Sequence, residues 1–157
     1  MSLRAQDIMV TTFDTVSANA PAGEAIQLIL HGQVRPTGHK TISLMVVDEF
    51  QRFVGIVTMF DILYHLRPSF LNYGVNGEEI PWEGQLEQCL KDLRDKRVDQ
   101  VMSVNIVGAS PAEHVMVLLD RMIKHKYRRL PILENQRPVG IAYLSDIYYH
   151  LFSGGKD

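Results

Sequence analysis

With 157 residues the chain has room for one compact core or two very small units, and halves of roughly 60–75 residues would be marginal alone. Its 46% apolar and 22% charged residues are ordinary for a globular protein, and a formal charge of −2 leaves no whole-chain footprint for nucleic acid or an anionic membrane. The single cysteine, Cys89, excludes an internal disulfide and a cysteine-built metal cluster.

No apolar run reaches the roughly 18 residues of a membrane span. The N-terminal MSLRAQDIMV lacks the apolar core of a signal peptide. Together with the lone thiol, these features predict a cytoplasmic protein that does not enter a membrane.

A short strand is expected over 13–16. A helix follows behind a poor cap at Ala20, with Ala25, Ile26, Ile29 and Leu30 on one face. The polar stretch 31–40 leads into strands at 43–47 and 53–57 around the turn 48–52, and a short helix closes the unit over 59–66. In 67–97, Pro68, Gly74, Asn76, Gly77 and Pro81 mark loop, after which 82–97 places Leu86, Leu90 and Leu93 on one helical face. That helix either covers exposed core or docks a partner, with Trp82 as an anchor. A second strand is expected over 105–107. Ser110-Pro-Ala-Glu113 reads as a capping box with Pro at the first helical position, ahead of Val115, Leu118, Leu119, Met122 and Ile123 at helical spacing. Strands at 130–133 and 138–143 flank the turn 134–137, and a helix over 144–152 ends the pattern.

The second set of elements repeats the first. Aligning Gly55 with Gly140 brings GIVTMFD onto GIAYLSD, Gln51-Arg52 onto Gln136-Arg137, and His65-Leu66 onto His150-Leu151. Upstream, Leu44–Asp48 falls on Leu130–Glu134, Ala20-Pro-Ala22 on Ser110-Pro-Ala112, and Asp7-Ile-Met9 on Gln100-Val-Met102. The first copy carries a short insertion within 31–40. The division is therefore 1–67 for one unit, 68–97 for a linker and 98–157 for the second unit. Each unit is β-α-β-β-α, an α/β (α+β) pattern. Neither buries its sheet alone, so the two are expected to pack face to face about a pseudo-two-fold axis.

Thr58-Met-Phe-Asp61 fits a helix cap, in which Thr58 accepts from a backbone N–H and Asp61 bonds back. The same place also suits a ligand. A helix N-terminus attracts phosphate, and an Asp beside it accepts hydrogen bonds from sugar hydroxyls. The residues alone leave both readings open. Two such units in register, with "DIM" opening the first, "YRRLPIL" before the second hairpin and "VGIVTMFDIL" closing the first, resemble a tandem pair of CBS domains, the cystathionine-beta-synthase-type regulatory module. The resemblance spans roughly 5–66 and 98–152.

The resemblance implies a regulatory, signalling role without catalysis. It implies clefts between the repeats for AMP, ADP, ATP or S-adenosylmethionine, none of them an obligatory cofactor. It puts Asp61 and Asp146 on ribose hydroxyls and Thr58 by the phosphates. Tyr143 stands where Thr58's counterpart belongs and is too bulky for that contact, with Ser145 as a substitute if the helix starts later, so the clefts are expected to be unequal. Arg128 and Arg129 occupy a phosphate position, with Lys124 and Lys126 nearby. Guanidinium suits phosphate because its planar fork bonds bidentately, although a solvated basic helix end would look the same. Thr12, Phe13, Asn105 and Ile106 are the candidates to flank adenine. The resemblance also implies a homodimer built on the closing helices, through Phe60, Tyr64, Tyr148 and Tyr149, and a regulated protein that the sequence does not identify. A ligand-independent dimerisation scaffold is the alternative.

The six histidines show no metal-ligand spacing, and there is no G-x-S-x-G, Walker A or G-x-G-x-x-G motif. No catalytic or metal site is therefore expected. The basic run at 124–129 is too narrow for nucleic-acid binding.

Overall fold

The computed structural model describes residues 3–74 and 76–153; the two ends of the predicted 1–67 and 98–157 units and Val75 of the linker lie outside the described residues. The described residues form six α-helices and five strands. The first unit contains α1 (Ala5–Ile8), β1 (Thr15–Ser17), α2 (Ala22–Leu30), β2 (Ser43–Val47), β3 (Phe53–Thr58) and α3 (Met59–Leu66). The linker contributes α4 (Gln85–Asp95), and the second unit contains α5 (Val115–His125), β4 (Arg129–Glu134), β5 (Arg137–Tyr143) and α6 (Leu144–Phe152). No described helix is long and apolar enough to cross a membrane.

The strand run Ser43–Val47 is buried throughout, as a strand covered on both faces must be. β2 pairs antiparallel with β3, Met45 opposite Ile56, and parallel with β1, Thr15 opposite Met45. β4 pairs antiparallel with β5, Pro131 opposite Ile141. Each hairpin slips register at the equivalent place, between Val46 and Val47 and between Ile132 and Leu133, so the duplication extends to its irregularities. Met45, Ile56, Ile141 and Tyr143 pack between the two sheets with Val10, Phe13, Phe53 and Ile106 around them. This is the face-to-face contact expected of two repeats.

The cores are interleaved rather than separate. Ala5 and Ile8 of α1 pack in the second unit's core, with Val115, Leu118, Met122 and Leu130. Leu93 of α4 and Val98 and Val101 pack in the first unit's core, with Val16, Ala25, Val46 and Val57. The segment ahead of each unit therefore crosses to the other. Val10 bridges antiparallel to Ile141, and Ser103 bridges to Ile56.

This crossing explains the repeated glycine of the two heptads. A Cβ on Gly55 would lie 2.8 Å from the Ser103 carbonyl oxygen, and one on Gly140 2.6 Å from Met9 Sδ. Both glycines let the crossing arm approach. Gly55→Ala must push the arm's backbone away, so it is expected to cost about 1–3 kcal/mol, as overpacking does, read as a lower urea midpoint at unchanged m-value.

Four expectations need correction. No strand forms over 105–107; Asn105 sits in the left-handed region at φ 64° and breaks the extended run, leaving only a parallel bridge between Ala109 and Ile132. The helix expected behind Ser110 starts at Val115, with His114 as the cap accepting from the Met116 N–H, because the N-terminal arm holds His114 extended in a bridge with Arg4, through Ala5 N–H to Glu113 O and Val115 N–H to Leu3 O. The linker helix is shorter than 82–97, since Gly84 is left-handed at its start, and Trp82 instead donates its indole N–H to Gly77 O. The helix behind Ala20 starts after Pro21, which offers no side-chain cap, and the outer members of the three predicted apolar faces, Leu30, Leu86 and Ile123, are exposed.

Candidate functional site

Asp61 sits where β3 turns into α3. Its own N–H donates to Thr58 Oγ1 at 3.1 Å, and its Oδ2 accepts from the Thr58 N–H at 2.9 Å and from Thr58 Oγ1 at 3.0 Å. The reciprocal cap is thus formed. Its other oxygen, Oδ1, accepts from the Ser103 hydroxyl at 2.8 Å. Ser103 comes from the arm that crosses from the second unit. It was not singled out from the sequence, because nothing local indicates which strand the arm will meet.

Around this carboxylate lies a cavity of about 640 Å³ that brings together Thr58, Asp61, Asn105, Ile106, Arg128 and Arg129. Three chain segments that are distant in sequence converge here: the β3–α3 junction, the crossing arm and the α5–β4 junction. Lys126, left-handed at φ 58°, ends α5 and turns the chain so that Arg128 and Arg129 enter the cleft. Arg128 is exposed, whereas Arg129 is mostly buried. Among the described residues Arg129 Nε is buried with no hydrogen-bond partner. Burial pulls its guanidinium below the ordinary range, against the favourable influence of Tyr143 and Asp61, while Arg128 and Arg35 repel it. Arginine stays charged regardless. An anion placed between these guanidinium groups would relieve the repulsion.

The repeat-equivalent place at the β5–α6 junction is built differently. Asp146 is buried, and Arg35 Nε donates to its Oδ1 at 3.4 Å and its Oδ2 at 3.2 Å. Thr37 Oγ1 adds a bond to Oδ1 at 2.9 Å. Tyr143 is the helix N-cap residue but makes no side-chain cap. α6 begins at Leu144, so Ser145 does not replace Thr58's counterpart as a cap; its Oγ accepts from Arg35 Nη2 at 3.1 Å. The cavity beside Asp146 holds about 290 Å³ and is lined by Thr12 and Arg35 among others. Phe13 lies instead with the apolar side chains between the sheets.

A third space of about 700 Å³ lies beside the β5–α6 junction, lined by Arg35, His39, Lys40, Arg128, Arg129 and Tyr143. It shares Ile42, Arg128 and Arg129 with the Asp61 cleft, so the two adjoin across basic side chains. Lys124 is turned outward, pairing with Asp120 at 3.0 Å.

A CBS domain family model matches residues 5–68 and 98–153. Among solved structures, the CBS domain of a CBS domain containing membrane protein from Sphaerobacter thermophilus is 24% identical at TM-score 0.72, over 94% of this chain and 86% of that one. A CBS domain pair solved in complex with 5′-methylthioadenosine and S-adenosyl-L-methionine is 23% identical at TM-score 0.67, over 99% of this chain and 100% of that one. CBSX2, solved in complex with AMP, is 16% identical at TM-score 0.70, over 98% and 99% of the two chains. At these identities the likeness is one of fold. No curated protein matches the sequence.

Proposed function

The chain belongs to the CBS domain family, and from that premise we propose that it is a regulatory module that binds an adenine nucleotide or adenosyl ligand in the Asp61 cleft. The observation that carries the reading is Arg129, a mostly buried cation whose Nε has no partner, lining a cleft that also holds the Asp61 carboxylate. A ligand with an anionic end and vicinal hydroxyls fits both. Asp61 accepts from the ribose hydroxyls, Arg128 and Arg129 hold phosphate, and Asn105 and Ile106 flank the base. Two structural neighbours were solved with AMP or with adenosyl compounds, which supports this ligand class. Binding favours one arrangement of the repeats over another, and a partner protein reads the shift.

Isothermal titration with AMP, ADP, ATP and S-adenosylmethionine tests the proposal. At least one is expected to bind, and Arg129→Ala is expected to weaken a phosphate-bearing ligand at least tenfold. Failure of all four would favour the scaffold reading, which the completed Thr58–Asp61 cap also accommodates.

The module is further proposed to pair with a second copy through its closing helices. Phe60 is 74% exposed, Tyr148 68% and Phe152 71%, more apolar surface than isolated exposed residues account for. Light scattering at micromolar concentration is expected to give twice the chain mass, and Phe60→Glu combined with Tyr148→Glu to give the chain mass alone. A monomeric wild type would contradict the pairing.

A further inference from the structure

Three features break the equivalence of the two repeats: the short insertion within 31–40 of the first, and in the second an aromatic ring at Tyr143 in place of Thr58 and a carboxylate that persists without its capping partner. They meet at one point. The insertion folds as a tight turn, with the Gly38 N–H donating to Arg35 O at 2.8 Å and the Arg35 N–H to His39 O at 2.8 Å. Pro36 follows the first turn residue, and Gly38, at φ 91°, takes the left-handed position. The turn aims Arg35 and Thr37 into the junction. The guanidinium lies 3.6 Å above the Tyr143 ring and donates to Asp146, to Ser145 Oγ, and at 3.4 Å to Lys40 O. Tyr143 is therefore a stacking platform for a planar cation rather than a failed cap.

We infer that Arg35 is an internal ligand that closes the Asp146 cleft, so that each chain takes one nucleotide and the second cleft is a latent site. Both aspartates accept protein hydrogen bonds on each oxygen, but with Arg35 and Thr37 upon it the Asp146 carboxylate is buried, whereas Asp61 stays partly exposed on its cleft. The cavity that still reaches Asp146, about 290 Å³ against 640 Å³ in the Asp61 cleft, falls just below the roughly 300–1,000 Å³ of small-molecule pockets, and the 700 Å³ space that Arg35 also lines is not lined by Asp146. The stoichiometry rests on the nucleotide reading; the closed state of Asp146 does not.

Calorimetry with AMP as the probe is expected to give one site per chain in the wild type and two in Arg35→Ala. The double variant Arg35→Ala with Tyr143→Thr, which restores the first repeat's residue at the second junction, is expected to give two as well. Two sites in the wild type, or one site in both folded variants, would overturn the inference. A ligand-free measurement separates it from the nucleotide reading. The Arg35 Nε–H is expected to exchange with water at least tenfold more slowly than that of exposed Arg67, and to lose this protection in Asp146→Asn. Equal exchange of the two arginines would overturn the inference even if AMP binds. Absence of AMP binding in every variant would defeat the nucleotide reading alone, and the exchange rates would then decide.

Discussion

Asp146→Ala is expected to lower the stability of the protein by about 3–5 kcal/mol, the loss seen when one partner of a buried ion pair is removed. The side chains of Arg35 and Asp146 are 6% and 5% exposed, so the guanidinium left behind is uncompensated and shielded from water. Stacking on Tyr143 and the bonds to Ser145 and Lys40 do not replace a carboxylate. Urea unfolding followed by fluorescence checks the value. A loss below about 1 kcal/mol, the level of a surface pair, would mean that the turn carrying Arg35 swings out freely and that the pair does not close the cleft.

Asp61→Ala is expected to behave in the opposite way. Its structural roles are the Thr58 cap, worth about 0.5–2 kcal/mol, and the bond from Ser103, and it forms no direct ion pair with a buried cation as Asp146 does with Arg35. Its larger effect is on binding. Hydrogen bonds to a charged group contribute about 1.5–3 kcal/mol, so AMP affinity is expected to fall by roughly 10–100-fold. Thr58→Ala, measured by stability without nucleotide because Thr58 also lines the cleft, gives the cost of the cap with the carboxylate kept. AMP binding that is unchanged in Asp61→Ala while stability drops by the capping amount would make Asp61 a cap and nothing more. The two aspartates occupy equivalent places in the repeat, and one is expected to govern folding while the other governs ligand.

Much of the fold was legible because it rests on local patterns. The closing helices have the predicted bounds, Met59–Leu66 and Leu144–Phe152, since each begins where a largely apolar strand ends and helical spacing starts. The hairpins were equally clear from apolar runs on either side of polar turns. The repeat then implied the packing, and Met45 and Ile56 do face Ile141 and Tyr143. The expectations that failed were overridden by long-range contacts or by a single backbone position. Asn105 and Gly84 each adopt a left-handed conformation that composition does not announce. The start of α5 was displaced by an arm from the far end of the chain.

The candidate site was readable to the same extent. Thr58, Asp61, Asn105, Ile106, Arg128 and Arg129 converge on one cavity. Ser103 and Arg35 were not foreseen, because their partners, Asp61 and Asp146, lie 42 and 111 positions away in sequence. The signal for Arg35 was present in pieces: an insertion carrying Arg-Pro-Thr-Gly, a Tyr in place of Thr, and an Asp retained without its cap. Only the fold shows that the three pieces answer one another.

The most direct measurement is the structure of the protein crystallised with saturating AMP. The account predicts one nucleotide per chain, its ribose hydroxyls on Asp61 and its phosphate between Arg128 and Arg129, with Arg35 still bonded to Asp146. Nucleotide on Asp146 with Arg35 displaced, or both clefts without nucleotide at saturating AMP, would contradict it.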